Sequence, residues 1–314
     1  MKILFLDKIF SELKKNLISE GLICIDNFVE KKEKIEQIIH KYDGIVIRSR
    51  FKIDKQFIEK AKKLKFIARF GSGMENIDVS EAKKNNIKCL NAPNGNSNAV
   101  GEHTLGLLLS IMNNIQKSNQ EIINGKWIRE KNRGVELSKK TIGIIGYGNA
   151  GGSFAEKLIG FQCKILAYDK YKTNFQSKYV EESSMVDIFK NADILSIHIP
   201  LNNETKYLIG DSFINKFSKK IFFLNTSRGG IVNTKDLVKN LKSGKIIGAG
   251  LDVLEFENKS FENLNITNNK YIDFLKQSSN VIMTPHIAGW SFESNKLMCQ
   301  ILTKKILSHL KSIK

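Results

Sequence analysis

A glycine turn between two apolar runs is the feature that most limits how this chain can fold. The run TIGIIG ends at Gly146, and Gly148 and Gly151 complete a G-x-G-x-x-G spacing at the start of an amphipathic stretch. A second apolar run, KILAY, is followed directly by Asp169. The order strand, glycine turn, helix, strand and carboxylate predicts a βαβ unit whose turn lies at a helix N-terminus.

This turn has the composition of a dinucleotide-binding site. Gly146 permits the tight turn, Gly148 lets the backbone approach a pyrophosphate, and Gly151 lets the helix pack close to the strand. The N–H groups at the helix start, which includes Asn149 and Ala150, favour a diphosphate together with the helix dipole. We therefore expect a dinucleotide cofactor at this turn.

The carboxylate after the second strand bears on which dinucleotide binds. Asp169 can accept hydrogen bonds from a ribose diol and would repel a 2′-phosphate, so it favours NAD over NADP. Lys170 and Lys172, which follow it, weaken that preference slightly. The sequence predicts NAD as the cofactor.

The basic composition invites a nucleic-acid function but does not support one. The formal net charge is +18, yet only six of the 50 basic residues are arginine, and the lysines are spread over the whole chain. No basic stripe with interleaved aromatic residues and no DNA-binding motif accompanies them. We expect lysines on solvated surfaces and no nucleic-acid partner.

The remaining composition indicates a cytoplasmic protein without a membrane segment or a metal site. No apolar run approaches 18 residues, and the N-terminus lacks the layout of a signal peptide. Four scattered cysteines form no C-x-x-C pair, which predicts reduced packing residues: Cys24, Cys89, Cys163 and Cys299. The sequence also shows no cluster of residues with metal-ligand spacing.

Short apolar runs alternate with helical patterns in both halves of the chain, which predicts open, mostly parallel α/β sheets. A long apolar helical pattern covers about residues 96–115, and another covers Phe292–Leu310. The polar, Asn-rich residues 255–279 interrupt the alternation, and we expect a surface excursion there.

The most promising chemical residues follow predicted strands. Arg228 follows KIFFLNTS and precedes two glycines, so it has room to grip a planar carboxylate through two hydrogen bonds. His286 ends NVIMTPH, where a histidine can donate a proton to a carbonyl that receives hydride. Glu257 could support His286, with Glu255 as a competitor two residues away.

Two further histidines compete with His286 for the acid–base role. His103 lies in the long apolar helical pattern, and His198 ends the strand DILSIH. Each of these positions also suits a hydrogen-bonded structural histidine.

Four motifs together resemble the D-isomer-specific 2-hydroxyacid dehydrogenase family over almost the whole chain: VELSKKTIGIIGYGNAG, HIPLNNETKYLI, LNTSRGGIVN and GAGLDVLEFE with VIMTPHIAG. The resemblance implies an α/β fold of two doubly wound parallel-sheet domains. A Rossmann NAD domain, residues 96–288 with a dimerisation arm, would be inserted into a split flavodoxin-like substrate domain, residues 1–95 and 289–314. It also implies a homodimer.

The same resemblance implies roles for individual residues. Arg228 would be the catalytic arginine, Glu257 the acid and His286 the acid–base histidine. Asp252 would hold the nicotinamide carboxamide, and the further cofactor contacts would be His198, Pro200, Thr205, Thr226, Ala288 and Gly289. The segment FGSGMENID resembles the family's substrate loop, in which the backbone of Ser72 and Gly73 would meet the substrate carboxylate.

The substrate is less clearly indicated. Arg48 and Arg50 lie two residues apart at a strand end, so both could face one ligand. This resembles the arginine pair that phosphoglycerate dehydrogenases direct at the substrate phosphate, and it predicts 3-phosphoglycerate and a role in serine biosynthesis. The alternatives are glyoxylate, hydroxypyruvate or D-lactate-type reduction, an NADP-linked reductase, and a non-catalytic, NADH-sensing protein like the family's corepressors. The chain ends about 28 residues after His286, so no C-terminal regulatory domain is expected.

Overall fold

Strands and helices alternate along the chain and form two separate α/β units in the computed structural model, which describes residues 1–257 and 269–313. The first unit comprises Met1–Asn96 and the segment that starts at Trp290. The second comprises Ser97–Glu257 and the segment that ends at Gly289.

The strands in the described residues are short and rich in Ile, Leu and Val. They are β1 (Lys2–Phe5), β2 (Ile23–Asp26), β3 (Gly44–Ile47), β4 (Phe66–Arg69), β5 (Lys88–Leu90), β6 (Thr141–Ile145), β7 (Lys164–Tyr168), β8 (Glu181–Glu182), β9 (Ile194–Ile197), β10 (Ile221–Asn225), β11 (Ile246–Leu251) and β12 (Val281–Met283).

The helices mostly connect one strand to the next. They are α1 (Ser11–Ser19), α2 (Lys32–Ile38), α3 (Lys55–Lys60), α4 (Val79–Lys84), α5 (Ser97–Met112), α6 (Ile115–Ile123), α7 (Asn149–Lys157), α8 (Met185–Asn191), α9 (Asp211–Ile214), α10 (Thr234–Lys242), α11 (Lys270–Gln277) and α12 (Phe292–Ser312). Single 3-10 turns lie at Ile39–Lys41, Glu130–Asn132, Ile159–Phe161 and Gly229–Ile231.

The sheet of the first unit is wholly parallel, with strand order β2-β1-β3-β4-β5. Every residue of β3 and β4 is buried, as expected when helices cover both faces of a parallel sheet. One face packs on α12 through Met298, Leu302 and Ile306. The sequence predicted this last helix correctly, and it continues to Ser312.

The sheet of the second unit is also parallel, with strand order β12-β11-β10-β9-β6-β7-β8. The order reverses between β6 and β9, and ligands of doubly wound sheets bind beyond the carboxyl ends of the strands at such a point. The glycine turn follows β6 and the HIPL segment follows β9, so both lie at this switch point. The parallel α/β architecture expected from the sequence is confirmed.

The long helical pattern forms one helix, α5, which ends three residues before the end that the sequence predicted. After α5 ends at Met112, Asn114 adopts a left-handed conformation (φ 53°), and α6 begins at Ile115. Leu107, Leu108 and Ile111 bury α5 in the core, whereas α6 has no buried residue. The homodimer stays a prediction for this arm.

The prediction of a surface excursion over residues 255–279 is wrong for the last part of that segment. Residues 258–268 lie outside the described residues, but α11 follows them and buries Ile272 and Leu275 in the core. The Asn269 side chain starts this helix by accepting hydrogen bonds from the N–H groups of Tyr271 and Ile272. The polar residues around Ile272 and Leu275 hid the i, i+3 spacing of these two apolar residues.

Three findings concern the described residues only. No helix among them is both long enough and apolar enough to cross a bilayer. Nor do they bring together three His, Cys, Asp or Glu side chains that could hold a metal ion. The four cysteines are free thiols, and burial raises the pKa of Cys24 and Cys299 to about 11, which keeps both protonated.

Candidate active site

The glycine turn after β6 has the geometry that its spacing predicts. Gly146 has a positive φ of 93°, and a methyl group there would lie 2.5 Å from the His198 carbonyl oxygen. A methyl group on Gly151 would lie 2.0 Å from the Gly146 carbonyl oxygen, whereas one on Gly148 would meet no atom within 4 Å. The turn is therefore tightly packed behind Gly146 and Gly151 and open at Gly148.

Helix α7 starts directly beyond this open position. Gly148 is its N-cap residue, and no side chain of the described residues caps the helix start. The first-turn N–H groups at Asn149 and Ala150 therefore depend on solvent or a ligand for partners. A phosphate group satisfies such groups well and is favoured there by the helix dipole.

A cleft of about 640 Å³ extends from the glycine turn, within the range of small-molecule sites. It brings together six of the predicted cofactor residues: Gly146, Gly148, Asp169, His198, Pro200 and Thr205. Much of the remaining wall is apolar, formed by Met185, Phe189, Leu208 and Phe213. Such a wall suits a planar base, with polar groups at one end for a sugar and phosphates.

Backbone N–H groups hold the Asp169 carboxylate at the edge of this cleft. One oxygen accepts from the N–H of Tyr147 at 2.8 Å, and the other accepts from Tyr171 and Lys172 at 2.9 and 3.0 Å. The two lysines that weakened the preference for NAD have other partners. Lys170 pairs with Glu204 at 2.5 Å, and the Lys172 ammonium lies 4.8 Å from the centre of the Tyr147 ring.

The HIPL segment lines the cleft with His198, Ile199 and Pro200. The Thr205 hydroxyl donates to the Pro200 carbonyl oxygen at 2.7 Å, which closes the turn after β9. The His198 imidazole is buried, and its Nε2 lies 2.8 Å from the Ser196 hydroxyl. Burial lowers the pKa of His198 to about 4, so this ring is neutral at pH 7 and is a poor proton donor.

A histidine and a carboxylate meet after β11 and β12. Nδ1 of His286 lies 2.7 Å from Oε2 of Glu257, and both side chains are mostly buried. The other oxygen of Glu257 accepts a short hydrogen bond from the Leu254 N–H. His286 has a positive φ of 56°, which is uncommon for a residue other than glycine and is typical of functional sites.

The two glutamates have different hydrogen-bond partners. Glu257 bonds to His286, whereas Glu255 accepts from the backbone N–H of Thr234 at 2.9 Å and from the Tyr207 hydroxyl. Glu255 therefore bonds to the start of α10 and to Tyr207, and Glu257 bonds to the histidine.

The Asp252 carboxylate holds the turn that carries His286. It is 1% exposed and accepts from the Thr284 hydroxyl at 2.6 Å and from the N–H groups of Ile287 and Ala288 at 2.9 and 2.8 Å. His103 lies beside it, with Nε2 3.0 Å from the Thr284 hydroxyl and 3.6 Å from an Asp252 carboxylate oxygen. Sequence analysis missed these contacts of Asp252, Thr284 and His103, although the threonine two residues before His286 was a signal for them.

Arg228 lies on a turn that Asn225 organises. The Asn225 amide donates to the Arg228 carbonyl at 3.0 Å, and its oxygen accepts from the Ser227 N–H and hydroxyl. The arginine Nη1 donates to the Ser227 carbonyl at 2.7 Å. A methyl group on Gly229 would lie 2.0 Å from the Leu254 carbonyl, so the turns that carry Arg228 and Glu257 pack backbone to backbone.

The three predicted catalytic residues thus follow adjacent strands of one sheet. Arg228 comes after β10, Glu257 after β11 and His286 after β12, and these strands are parallel neighbours. Their carboxyl ends lie at the same edge of the sheet, the edge at which ligands of such folds bind.

Two predicted cofactor contacts have polar groups that are already engaged with protein. The Thr226 side chain is buried with its hydroxyl 2.9 Å from that of Thr104 in α5. The Ala288 N–H donates to Asp252. Gly289, also predicted as a contact, ends the second unit.

Both arginines of the expected phosphate clamp contact other protein groups of the first unit. The Arg50 guanidinium donates to the carbonyl oxygens of Leu6 and Asn27 at 2.9 and 2.5 Å, and to that of Glu30. The Arg48 guanidinium instead lies 5.1 Å from the centre of the Trp290 ring. Their spacing of two residues predicted that both side chains lie on one side of the strand end. The guanidinium N–H groups of Arg50 instead donate to carbonyl oxygens of residues that are distant in sequence.

The predicted substrate loop follows β4 in the first unit. Gly71 turns the chain with a φ of 143°, a conformation that favours glycine. The Ser72 hydroxyl donates to the Asn96 side chain and the Ser72 carbonyl accepts from Asn91, both at 2.6 Å. These bonds hold Ser72 and the neighbouring Gly73 in a half-buried loop.

Comparisons with known proteins identify the family of this chain. The protein-family model described as "D-isomer specific 2-hydroxyacid dehydrogenase, NAD binding domain" matches residues 105–288 of this chain. A hydroxypyruvate reductase of Thermotoga maritima is 36% identical over 97% of this chain and 96% of its own length. The chain belongs to the D-isomer-specific 2-hydroxyacid dehydrogenase family.

Other members of the 2-hydroxyacid dehydrogenase family carry different names. A D-3-phosphoglycerate dehydrogenase of Methanocaldococcus jannaschii is 35% identical over 98% of this chain but 57% of its own length. A solved structure of D-lactate dehydrogenase from Aquifex aeolicus, complexed with NAD and lactic acid, has a TM-score of 0.86 and 25% identity over 99% of this chain and 96% of that one.

NAD is the cofactor of this family, and the described residues fit it. The opening at Gly148 allows close approach of a diphosphate to the start of α7. Asp169 lies in the same cleft as this turn and carries the negative charge that suits a ribose diol.

We predict that Gly151→Ala weakens NADH binding by about tenfold or more. The added methyl group would overlap the Gly146 carbonyl and displace the turn, and overpacking of this kind costs about 1–3 kcal/mol. Gly152→Ala is the matched control, because its methyl group would meet no atom within 4 Å. Fluorescence titration with NADH measures both, and equal affinities in the two variants would contradict the packing argument.

Proposed function

We propose that this chain catalyses the NAD-dependent interconversion of a D-2-hydroxy acid and its 2-oxo acid. The observation that carries the proposal is the 2.7 Å contact between His286 and Glu257. Arg228 follows the neighbouring strand at the same sheet edge and supplies the cation that a substrate carboxylate needs.

The residues divide the reaction between binding and proton transfer. Arg228 binds and orients the 2-oxo acid and polarises its carbonyl group. When bound, the cofactor supplies the hydride for C2. His286 donates a proton to the developing alkoxide oxygen, and Glu257 stabilises the protonated ring and fixes its orientation through Nδ1. In the oxidative direction His286 accepts the hydroxyl proton.

We predict that His286→Ala lowers the turnover number by about 10²–10⁴ in 2-oxo acid reduction. NADH affinity should stay close to that of the wild type, because His286 does not line the cleft beside the glycine turn. Steady-state kinetics and NADH titration of the purified variant measure both quantities. Turnover near the wild-type value would remove His286 from the proposed role.

The nature of the substrate side chain is a finer proposal. The family includes both a hydroxypyruvate reductase and a D-3-phosphoglycerate dehydrogenase among the relatives of this chain. The arginine pair suggested 3-phosphoglycerate, but Arg50 would have to leave three carbonyl groups to bind a phosphate. We therefore propose a small, unphosphorylated 2-oxo acid, such as hydroxypyruvate or glyoxylate, as the preferred substrate.

NADH oxidation with 3-phosphohydroxypyruvate, hydroxypyruvate, glyoxylate and pyruvate, measured side by side, tests this proposal. We expect a higher kcat/KM for a small acid than for the phosphorylated one. Arg50→Ala should change the KM of phosphorylated and unphosphorylated acids alike, because the side chain supports backbone loops.

Two outcomes of this assay would contradict the proposals. A large advantage for 3-phosphohydroxypyruvate that Arg50→Ala selectively removes would restore the phosphate clamp and the phosphoglycerate reaction. No turnover with any 2-oxo acid, with either NADH or NADPH, would contradict the dehydrogenase reaction itself.

A further inference from the structure

Tyr207 joins the segment after the HIPL turn to the turn that carries Arg228. Its backbone N–H donates to the Gly230 carbonyl at 2.9 Å, and the Ile209 N–H donates to the Ile231 carbonyl at 3.0 Å. Tyr207 has a positive φ of 55°, although it is neither glycine nor asparagine. The surrounding contacts therefore maintain a backbone conformation that tyrosine rarely adopts alone.

The Tyr207 side chain reaches the second catalytic turn through Glu255. Its hydroxyl group hydrogen-bonds to the Glu255 carboxylate, which raises the pKa of the tyrosine. The same carboxylate accepts from the N–H of Thr234 at 2.9 Å, at the first residue of α10. A negative charge is favourable at a helix N-terminus, so this contact anchors Glu255 firmly.

Fixing Glu255 also fixes Glu257, two residues later. The turn between them is closed by a hydrogen bond from the Glu257 N–H to the Leu254 carbonyl at 3.2 Å. The Leu254 N–H in return donates to the Glu257 carboxylate, whose other oxygen contacts His286. The backbone of Gly229 packs directly against Leu254 and Glu255, so the Arg228 turn shares this support.

We propose that Tyr207 and Glu255 are positioning residues that hold the Arg228 turn and the Glu257 turn in one fixed arrangement. Neither residue lines the cleft beside the glycine turn, and Glu255 has no part in the proposed proton transfer. The inference rests on the proposed function of Arg228, Glu257 and His286.

Steady-state kinetics of four variants test the proposal. Glu255→Ala should lower kcat between about tenfold and 100-fold, because small displacements of catalytic groups have effects of this size. Glu255→Gln keeps an oxygen acceptor for Thr234 and Tyr207 and should restore most of that loss. Tyr207→Phe should lower kcat less than Glu255→Ala does, and NADH affinity should stay within about twofold in all of them.

Tyr179→Phe is the matched control, since Tyr179 is 47% exposed and Tyr207 is 43% exposed, and both lie in the second unit. This control should keep the wild-type kcat. The proposal is overturned if Glu255→Ala keeps the wild-type kcat, if Glu255→Gln is as impaired as Glu255→Ala, or if the control loses as much activity as Tyr207→Phe.

Amide hydrogen exchange separates this proposal from the proposed function. Tyr207→Phe should speed exchange in peptides that contain Gly229–Ile231 and in those that contain residues 254–257, whatever the enzyme's substrate. Faster exchange in both turns, in a protein that reduces no 2-oxo acid, would support the positioning role of Tyr207 and contradict the proposed dehydrogenase reaction. Unchanged exchange in a protein that does reduce a 2-oxo acid would contradict the role of Tyr207 alone.

Discussion

The buried carboxylate of Asp252 is the interaction on which the arrangement of this site depends. A buried charge is costly unless hydrogen bonds satisfy it, and Asp252 accepts from the Thr284 hydroxyl and from two backbone N–H groups. Those two N–H groups, of Ile287 and Ala288, directly follow His286 in the chain. The carboxylate therefore fixes the turn on which the histidine adopts its left-handed conformation.

Three acidic residues within six positions take three different tasks. Asp252 binds the histidine turn, Glu255 binds the start of α10 and Tyr207, and Glu257 binds the imidazole. Each carboxylate has its own set of hydrogen-bond donors, so the three do not compete for a common partner. This separation leaves the Glu257 carboxylate to His286, its partner in the proposed proton transfer.

The sequence predicted those parts of the site that depend on local steric rules. The glycine turn requires small residues at Gly146 and Gly151 wherever a strand runs tightly into a helix, and Arg228 and His286 follow recognisable strands. It did not predict where Arg50 would find partners, because Leu6, Asn27 and Glu30 are distant in sequence. The contact between Tyr207 and Glu255 and the burial of α11 also depend on tertiary structure that no local pattern records.

Deuterium transfer from NADH labelled at the transferring position of the nicotinamide tests the central claim most directly. The protein would be incubated with the labelled cofactor and a 2-oxo acid, and the product analysed by NMR and chiral chromatography. The account predicts a D-2-hydroxy acid with deuterium on C2. Unlabelled product, product of the L configuration, or no product with any 2-oxo acid would contradict it.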